Sequence, residues 1–388
     1  MARTTANIRG TALALFLLLA GGGAGGHAGE NSPGELPLVN TVTLSLTGVE
    51  NLSLDYADDE VIIRESGTGE LVIREYMERD RPRYHANVSR SGGNLSVRRG
   101  RRPWLSWSWK ARIEIYIPPS FRENIRISHA GGALRAETGL LDYRTIDVSS
   151  GSGTVFFRGL SAETVSIRVS SGSLDVEDIG GSTFISISSG RLRIGALAGG
   201  EHRIKASSGR TRIGAIRGNS TIEVSSGSVA VETIEGNAAI EIQSGNIQIA
   251  GLTGTSHRLR SSSGRTTIER ARGRMDAHVS SGSINIGNFS GEGGFEISSG
   301  AITLDARELT GDLRFTVSAG DITVTVPREF PFNLDAVTNS GKVLVNETGR
   351  ETARVSGNST VLRPFGSSPV RTIYARTSSG SVIINRGL

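Results

Sequence analysis

Residues 222–234 read IEVSSGSVAVETI, and this stretch contains the unit from which most of the chain is built. Apolar and polar residues alternate before the Ser-Ser-Gly triplet that ends at Gly227, and they alternate again after it. Alternation with a period of two is typical of a β-strand with one buried face. The stretch therefore predicts two short strands joined by a corner at Gly227. The residues predicted to point inward are Ile222, Val224, Val229, Val231 and Ile234.

The same unit recurs from about residue 126 onward with a nearly constant spacing of about 19 residues. Residues 185–197 and 240–252 repeat the apolar pattern around Gly190 and Gly245. The recurring corner glycines are Gly131, Gly151, Gly172, Gly190, Gly209, Gly227, Gly245, Gly264, Gly282, Gly300, Gly320 and Gly341. A fixed register over this many repeats predicts an all-β, parallel β-solenoid of about 11–12 coils, in which each coil pairs with its neighbours.

Each predicted coil needs two corners. We expect the Ser-Ser-Gly glycines to adopt backbone angles that residues with a Cβ resist. A second corner contains Gly or Asn, as in Gly218-Asn219 and Gly236-Asn237. The corner serines are predicted to form hydrogen bonds with the turn backbone or with serines of adjacent coils.

The composition agrees with this fold. The chain has 388 residues with 51 Gly and 10 Pro, and Gly at about 13% is nearly twice the usual ~7%. Glycine at this density is unfavourable for a mainly helical protein. The chain has no Cys, which excludes disulfides, cysteine nucleophiles, thiolate metal sites and a lipid-modified cysteine.

Three regions are predicted along the chain. Residues 1–28 have Arg3 and Arg9, the apolar run ALALFLLLA (12–20) and a small-residue stretch, which together predict a signal peptide cleaved after Ala24 or Ala28. Residues 41–125 lack the repeat and are predicted to be a small β-sheet region that caps the solenoid. Residues 126–388 form the Ser-Gly repeat solenoid, and TSSGSVII (377–384) is its closing coil. The prediction is an exported protein of the periplasm, cell surface or medium, with no transmembrane helix in the mature chain.

The distribution of charged residues along the chain indicates which classes of partner the protein is expected to bind. The net charge of +5 includes Arg3 and Arg9 of the predicted signal, and both signs of charge run along the whole chain. A nucleic-acid-binding protein usually concentrates its basic residues in one patch. The sequence therefore predicts no nucleic-acid partner.

One group of basic residues stands out in the repeats around Gly190 and Gly209. Alternation places Arg191, Arg193, Arg210 and Arg212 on the outward side of stacked strands, with Lys205 nearby. These five residues are a candidate anion-binding strip for acidic glycans or lipid head groups. The alternative is a solvated face whose charges have no ligand.

A second candidate is the segment 98–110, which contains all three tryptophans. Arg101, Arg102 and Trp104 are predicted to form an exposed interface tip. Trp107 and Trp109 alternate in step with Ile113 and are predicted to pack into the cap core.

No catalytic, cofactor or metal site is predicted. His202 and His257 share a register but belong to coils three apart, about 14 Å, which is too far for one metal ion. The corner serines have no repeated His or Asp partner to activate them. Surface carboxylates such as Asp175 and Asp178 keep open the alternative of a carbohydrate-active enzyme on a β-helix scaffold.

Several segments together resemble the bacterial putative-adhesin family, a family of domains of unknown function with Ser-Gly β-strand repeats. The matching segments are GVENLSL (48–54), IEIYIP (113–118), the Ser-Gly coils, FPFNLDA (330–336), SGKV (340–343) and TSSGSVII (377–384). The resemblance implies an exported, non-enzymatic β-solenoid that acts as an adhesin or as an envelope-surface binding or structural protein. An envelope-stress accessory that binds another protein is a further alternative. The candidate partners are an anionic glycan, lipid head groups or an envelope protein.

Overall fold

A computed structural model describes residues 36–57, 59–101, 109–347, 349–366 and 371–387. The predicted signal peptide lies outside the described residues, as do Arg102, Trp104 and Trp107. Leu36–Leu388 form one compact unit.

The described residues of the N-terminal part of this unit form nine strands and one short 3₁₀ helix, Pro82–Tyr84. The strands are β1 (Leu38–Ser45), β2 (Asn51–Tyr56), β3 (Glu60–Glu65), β4 (Glu70–Met77), β5 (Asn87–Ser91), β6 (Asn94–Arg98), β7 (Ala111–Ile117), β8 (Asn124–His129) and β9 (Ala133–Ala136).

The repeat region forms longer strands, most of them about 15 residues. They are β10 (Leu140–Ser150), β11 (Thr154–Val169), β12 (Ser173–Ile187), β13 (Arg191–Ala206), β14 (Arg210–Val224), β15 (Ser228–Glu235), β16 (Ala238–Ile242), β17 (Asn246–Ser261), β18 (Arg265–Val279), β19 (Ser283–Ile297), β20 (Ala301–Val317) and β21 (Asp321–Val326).

Six shorter strands are formed by the residues described in the C-terminal part. They are β22 (Phe332–Thr338), β23 (Lys342–Glu347), β24 (Arg350–Ser356), β25 (Ser359–Phe365), β26 (Thr372–Thr377) and β27 (Ser381–Arg386).

These strands form a β-solenoid of about 11 turns with a period of about 19 residues, which confirms the predicted fold class. Each repeat strand pairs in parallel with the strands one coil before and after it, as β13 does with β12 and β14. The Ser-Ser-Gly corner interrupts the strand, whereas the ladder usually continues around the second corner. We call the surface formed by segments before each corner glycine the pre-corner face, and the surface after it the post-corner face.

Inward side chains stack in columns along the solenoid. Ile204, Ile222, Ile240 and Leu259 occupy successive coils in register and are all buried. Each such side chain contributes roughly 1.5–3 kcal/mol on burial, and most of that contact comes from neighbouring coils. The less apolar inward residues follow the same register, since Thr211 and Thr266 are also buried.

The corner glycines are required for a different reason from the one predicted. None of the Ser-Ser-Gly corner glycines has a positive φ, and a Cβ on Gly227 would instead lie 2.5 Å from the carbonyl oxygen of Gly209. Stacked corners approach so closely that only a residue without a side chain fits. Positive φ belongs to the second corner, for example Gly199 (102°) and Gly218 (132°).

Both ends of the solenoid depart from chain order. β2 and β3, the first coil in sequence, lie between the coil of β6 and β7 and the coil of β8 and β9. β26 and β27, the last coil in sequence, lie between β20 and β21 on one side and β22 and β23 on the other. Parallel pairing therefore extends from Asn51 to Arg386, beyond the Ser-Gly repeat itself.

Antiparallel strands flank these terminal coils. At the N-terminal end, β4 pairs with β7, β5 pairs with β6, and β1 pairs with β4. At the C-terminal end, β24 pairs with β23, and β25 pairs with β22. Among the described residues, no helix is long and apolar enough to cross a membrane.

Candidate functional site

Four arginines form a compact basic group on the post-corner face. Arg191 lies directly opposite Arg210 on adjacent strands, and Arg193 lies directly opposite Arg212. All four are exposed, because each alternates with the buried residues of β13 or β14. We call Arg191, Arg193, Arg210 and Arg212 the arginine quartet.

The quartet has little compensation from carboxylates. Within the described chain, the only ion pair of its members joins Arg193 Nη1 to Asp175 Oδ2 at 4.0 Å, the limit of such a contact. Like charges directly opposite each other on paired strands are destabilising. The sequence has thus placed two like-charged pairs side by side where strand pairing alone would favour neutral or opposite residues.

Lys205, the fifth residue of the predicted strip, lies elsewhere. It is on the pre-corner face, and its Nζ lies 2.9 Å from Glu223 Oε2, while Arg203 binds the same carboxylate. Burial by itself would raise the pKa of Glu223, but the hydrogen bonds from Lys205 and Arg203 outweigh it and lower the pKa below its ordinary value. Lys205 is therefore paired on its own face and separated from the quartet by the corner.

A groove runs along the stacked Ser-Ser-Gly corners beside the quartet. An open depression of about 510 Å³ is lined by corner residues of successive coils, including Ser189, Ser208, Arg191 and Arg210. A second depression of about 620 Å³ continues past Asn246, which lines both. We call the two together the corner groove.

Arg265 is a groove residue that was not singled out from the sequence. It lines the second depression and follows Gly264 directly, as Arg191 follows Gly190 and Arg210 follows Gly209. Counting residues from each corner glycine would have found it. Within the described chain, Arg265 makes no ion pair, so it adds an uncompensated positive charge to the groove.

The family of the chain follows from a comparison with family models. The Toastrack model, DUF4097, matches residues 49–244 and again residues 221–385. The chain belongs to the Toastrack family. The two matches together span nearly all of the described residues, which confirms the resemblance to the adhesin-like family of Ser-Gly repeats. No curated protein matches the chain significantly.

Several crystal structures are similar to this Toastrack chain at low identity. A putative cell adhesion protein from Clostridium sporogenes is 9% identical, with 90% of this chain and 98% of that chain covered and a TM-score of 0.18. A putative adhesin from Parabacteroides merdae is 12% identical, with 76% and 97% covered and a TM-score of 0.29. A putative lipid binding protein from Parabacteroides distasonis is 10% identical, with 90% and 96% covered and a TM-score of 0.20.

The predicted interface tip of the Toastrack chain is only partly described. Arg101 is exposed, and its backbone N–H donates a hydrogen bond of 2.8 Å to the carbonyl oxygen of Arg83. Trp109 is half-buried and packs edge-to-face on Tyr84 with ring centroids 5.0 Å apart. Because Arg102 and Trp104 lie outside the described residues, the tip remains a sequence prediction.

The histidines that share a register are buried in the Toastrack interior. Nε2 of His202 lies 3.2 Å from the carbonyl oxygen of Arg217, and Nε2 of His257 lies 3.0 Å from that of Arg272. Both rings face inward on β13 and β17, three coils apart. Across the described residues, no group of three or more His, Asp or Glu side chains is placed to hold a metal ion.

Proposed function

We propose that this Toastrack protein is an exported, non-enzymatic binding protein that holds anionic ligands on its arginine quartet. The solenoid supplies a rigid post-corner face, and the quartet supplies the charge. Arginine suits this role because its planar guanidinium can donate paired hydrogen bonds to one carboxylate, sulfate or phosphate group.

The observation that carries the proposal is the opposition of Arg191 to Arg210 and of Arg193 to Arg212. Each like-charged pair is destabilising in the free protein. An anion between the guanidinium groups would remove that repulsion and form charge-assisted hydrogen bonds with both coils. On the pre-corner face, Arg258 lies opposite Asp276 and Arg260 lies opposite Glu241, whereas in the quartet only Arg193 lies opposite a carboxylate, that of Asp175.

A role in binding without catalysis agrees with the composition of the quartet. Arginine remains protonated in proteins and cannot act as a general base. Export is supported by the charged start, apolar run and small-residue stretch of residues 1–28. Because the protein is proposed to be exported and to bind anions, the role that we propose is adhesion to an acidic glycan.

The test compares two quadruple variants of the mature protein. The first carries Arg191→Ser, Arg193→Ser, Arg210→Ser and Arg212→Ser. The matched control carries Arg203→Ser, Lys205→Ser, Arg258→Ser and Arg260→Ser, which removes the same charge from cations of the pre-corner face that lie opposite a carboxylate or form an ion pair with one. Binding of acidic polysaccharide is measured at several salt concentrations by isothermal titration calorimetry.

We expect the quartet variant to lose at least about tenfold in affinity, as a loss of several exposed charge contacts would produce. The control variant should stay within about threefold of the parent. Equal losses in both variants would mean that net charge alone attracts the polymer, and the proposal would be wrong. Shortening of the polysaccharide during incubation would contradict the non-enzymatic assignment.

A further inference from the structure

We infer that the ligand is an extended acidic polysaccharide that lies along the corner groove, from the arginine quartet to Arg265. This inference rests on the proposed function, because the quartet is one end of the binding path. It adds the orientation of the ligand, its minimum length and two residues, Asn246 and Arg265, that the strip did not contain.

The geometry of the groove is linear. Arg191, Arg210, Ser228, Asn246 and Arg265 occupy the same position after the corner in five successive coils and are register partners in turn. At ~4.8 Å per coil, Arg265 lies about 14 Å from Arg210 and about 19 Å from Arg191 along the axis. A single small anion cannot reach both ends, but an extended polymer can.

The chemistry of the lining favours a polymer with both charges and hydroxyl groups. The residues that line the two depressions are Ser, Gly, Asn, Arg and one Ala, with no carboxylate among them. Ser244 and Ser299 use their hydroxyl groups in hydrogen bonds to corner carbonyl oxygens. Ser171, Ser189 and Ser208 are exposed, and their hydroxyl groups form no hydrogen bond with other described residues. Such hydroxyls can donate to or accept from sugar hydroxyls, while the arginines bind the acidic groups.

A membrane surface is the less favourable partner. Peripheral membrane binding generally combines basic residues with large apolar side chains such as Trp, Phe or Leu that enter the lipid. The groove lining contains none of these residues. Polar recognition along this open path therefore fits a hydrated polymer better than a lipid surface.

The stacked corner glycines line the groove with backbone atoms. A Cβ on Gly190, Gly209, Gly245 or Gly264 would lie within 2.5 Å of the carbonyl oxygen of the corner glycine one coil below. Close stacking of the coils thus excludes side chains at these positions, and backbone atoms line the groove there. The arginines and serines of the lining flank these glycines in the sequence.

The experiment measures affinity against ligand length with defined galacturonate oligomers, a dimer and a decamer. Three single variants of the mature protein are compared with the parent, and each is checked for folding by circular dichroism. Arg265→Ser removes the far charge. Asn246→Asp places a carboxylate in the middle of the groove with almost no change in size. Arg258→Ser is the matched control, because it removes a charge from the same coil on the pre-corner face.

We expect the parent to bind the decamer at least about tenfold more tightly than the dimer. Arg265→Ser and Asn246→Asp should each weaken decamer binding about three- to fivefold, the size of one exposed ion pair, and leave dimer binding unchanged. Arg258→Ser should change neither.

Different results would contradict the proposed function and the proposed path along the corner groove. If the quartet variant keeps full affinity for both oligomers, the proposed function is wrong. If the quartet variant loses binding while Arg265→Ser and Asn246→Asp leave the decamer unaffected, the quartet binds anions but the axial path is wrong. Tighter binding to vesicles of phosphatidylglycerol and phosphatidylcholine than to the decamer would also overturn the inference.

Discussion

Nε2 of His257 lies 3.0 Å from the backbone carbonyl oxygen of Arg272, in the coil that follows it. Because a carbonyl oxygen only accepts, the N–H of Nε2 is the donor, and Nδ1 is the nitrogen that would take up a proton. That nitrogen is buried with no hydrogen-bond partner among the described residues. Burial lowers the pKa of His257 below its ordinary value of 6.5, against the opposing effect of the hydrogen bond to Arg272.

This relationship predicts a loss of stability in mild acid. As the pH falls below about 6.5, the unfolded ring binds a proton before the folded ring does, so the free energy of unfolding decreases. One such group gives a slope of at most about 1.4 kcal/mol per pH unit. Urea denaturation at several pH values between 8 and 5 measures this change in the free energy of unfolding.

His257→Met should flatten this part of the pH profile, and Met275 already occupies the same inward position one coil later. His278→Gln is the control, because it removes a histidine from the outer surface and leaves the interior intact. Parallel profiles for the parent and His257→Met would contradict the prediction.

A second prediction concerns Glu114 at the N-terminal end. Its carboxylate accepts hydrogen bonds from Tyr116 Oη at 2.8 Å and Tyr76 Oη at 3.3 Å, and it lies 3.1 Å from Arg64 Nη1. Burial alone would raise the pKa of Glu114, but these contacts outweigh it and lower the pKa below the ordinary 4.5. The stabilisation from Glu114 is therefore present above about pH 4.5 and is lost as the pH falls through the lowered value.

Glu114→Gln should cost about 1–3 kcal/mol at pH 7 and reduce the loss of stability below pH 4.5. Glu137→Gln is the matched control, since Glu137 binds the same Arg64 at 2.8 Å but is more exposed. Chemical denaturation at pH 7 and pH 3.5 should show the larger effect at Glu114. Equal effects of the two variants would argue against a special role for burial.

A third prediction concerns the corner backbone. Gly227→Ala should destabilise the solenoid by about 1–3 kcal/mol, because its Cβ would lie 2.5 Å from the carbonyl oxygen of Gly209. Relief of this contact would disturb the 3.0 Å hydrogen bond that the same oxygen accepts from the N–H of Ser228. Thermal unfolding measures the change.

Gly251→Ala provides the comparison within the same repeats. Its Cβ would approach no atom closer than 3.4 Å, and its φ is not positive. We expect a change of less than about 1 kcal/mol, with a small gain from the stiffer unfolded chain. A similar loss at both positions would show that close stacking is not what requires glycine at the corner.

A fourth prediction follows from the position of the last coil. A chain that ends at residue 366 lacks β26 and β27, which leaves facing strand edges on β20, β21, β22 and β23 unpaired. Ile373, Ala375, Val382 and Ile384 are each fully buried in the intact protein. Their loss should cost at least about 4 kcal/mol and promote aggregation through the open edges.

A peptide of residues 371–388, added to the shortened chain, should restore the melting temperature. The same peptide with Ile373→Asp and Val382→Asp should not, because it would place carboxylates in the core. Size-exclusion chromatography and thermal unfolding report the outcome. A shortened chain as stable as the parent would mean that this coil is not integral to the solenoid.

Much of the fold could be predicted from local pattern. The period of about 19 residues, the inward places of Ile222 and Val229 and the outward places of Arg191 and Arg210 follow from alternation around a fixed corner. These features depend on each residue's position within its own coil, so one sequence suffices. The same counting would have included Arg265.

Features that depend on a second coil could not be predicted in this way. The pairing of Lys205 with Glu223 and the close approach of Gly227 to Gly209 depend on which atoms of adjacent coils face each other. Gly227 and Gly218 are both glycines in turns, and only the structure separates the steric requirement at the first from the positive φ at the second.

The sequence by itself determined a parallel solenoid with a regular core and a cluster of outward arginines, because these follow from periodicity along the chain. Only the tertiary structure decided that the first and last coils lie inside the stack, since identical strand patterns can pair in more than one spatial order. It also decided that the quartet adjoins a groove free of carboxylates. That arrangement arises from lateral pairing between coils, which brings together residues that are distant in the sequence.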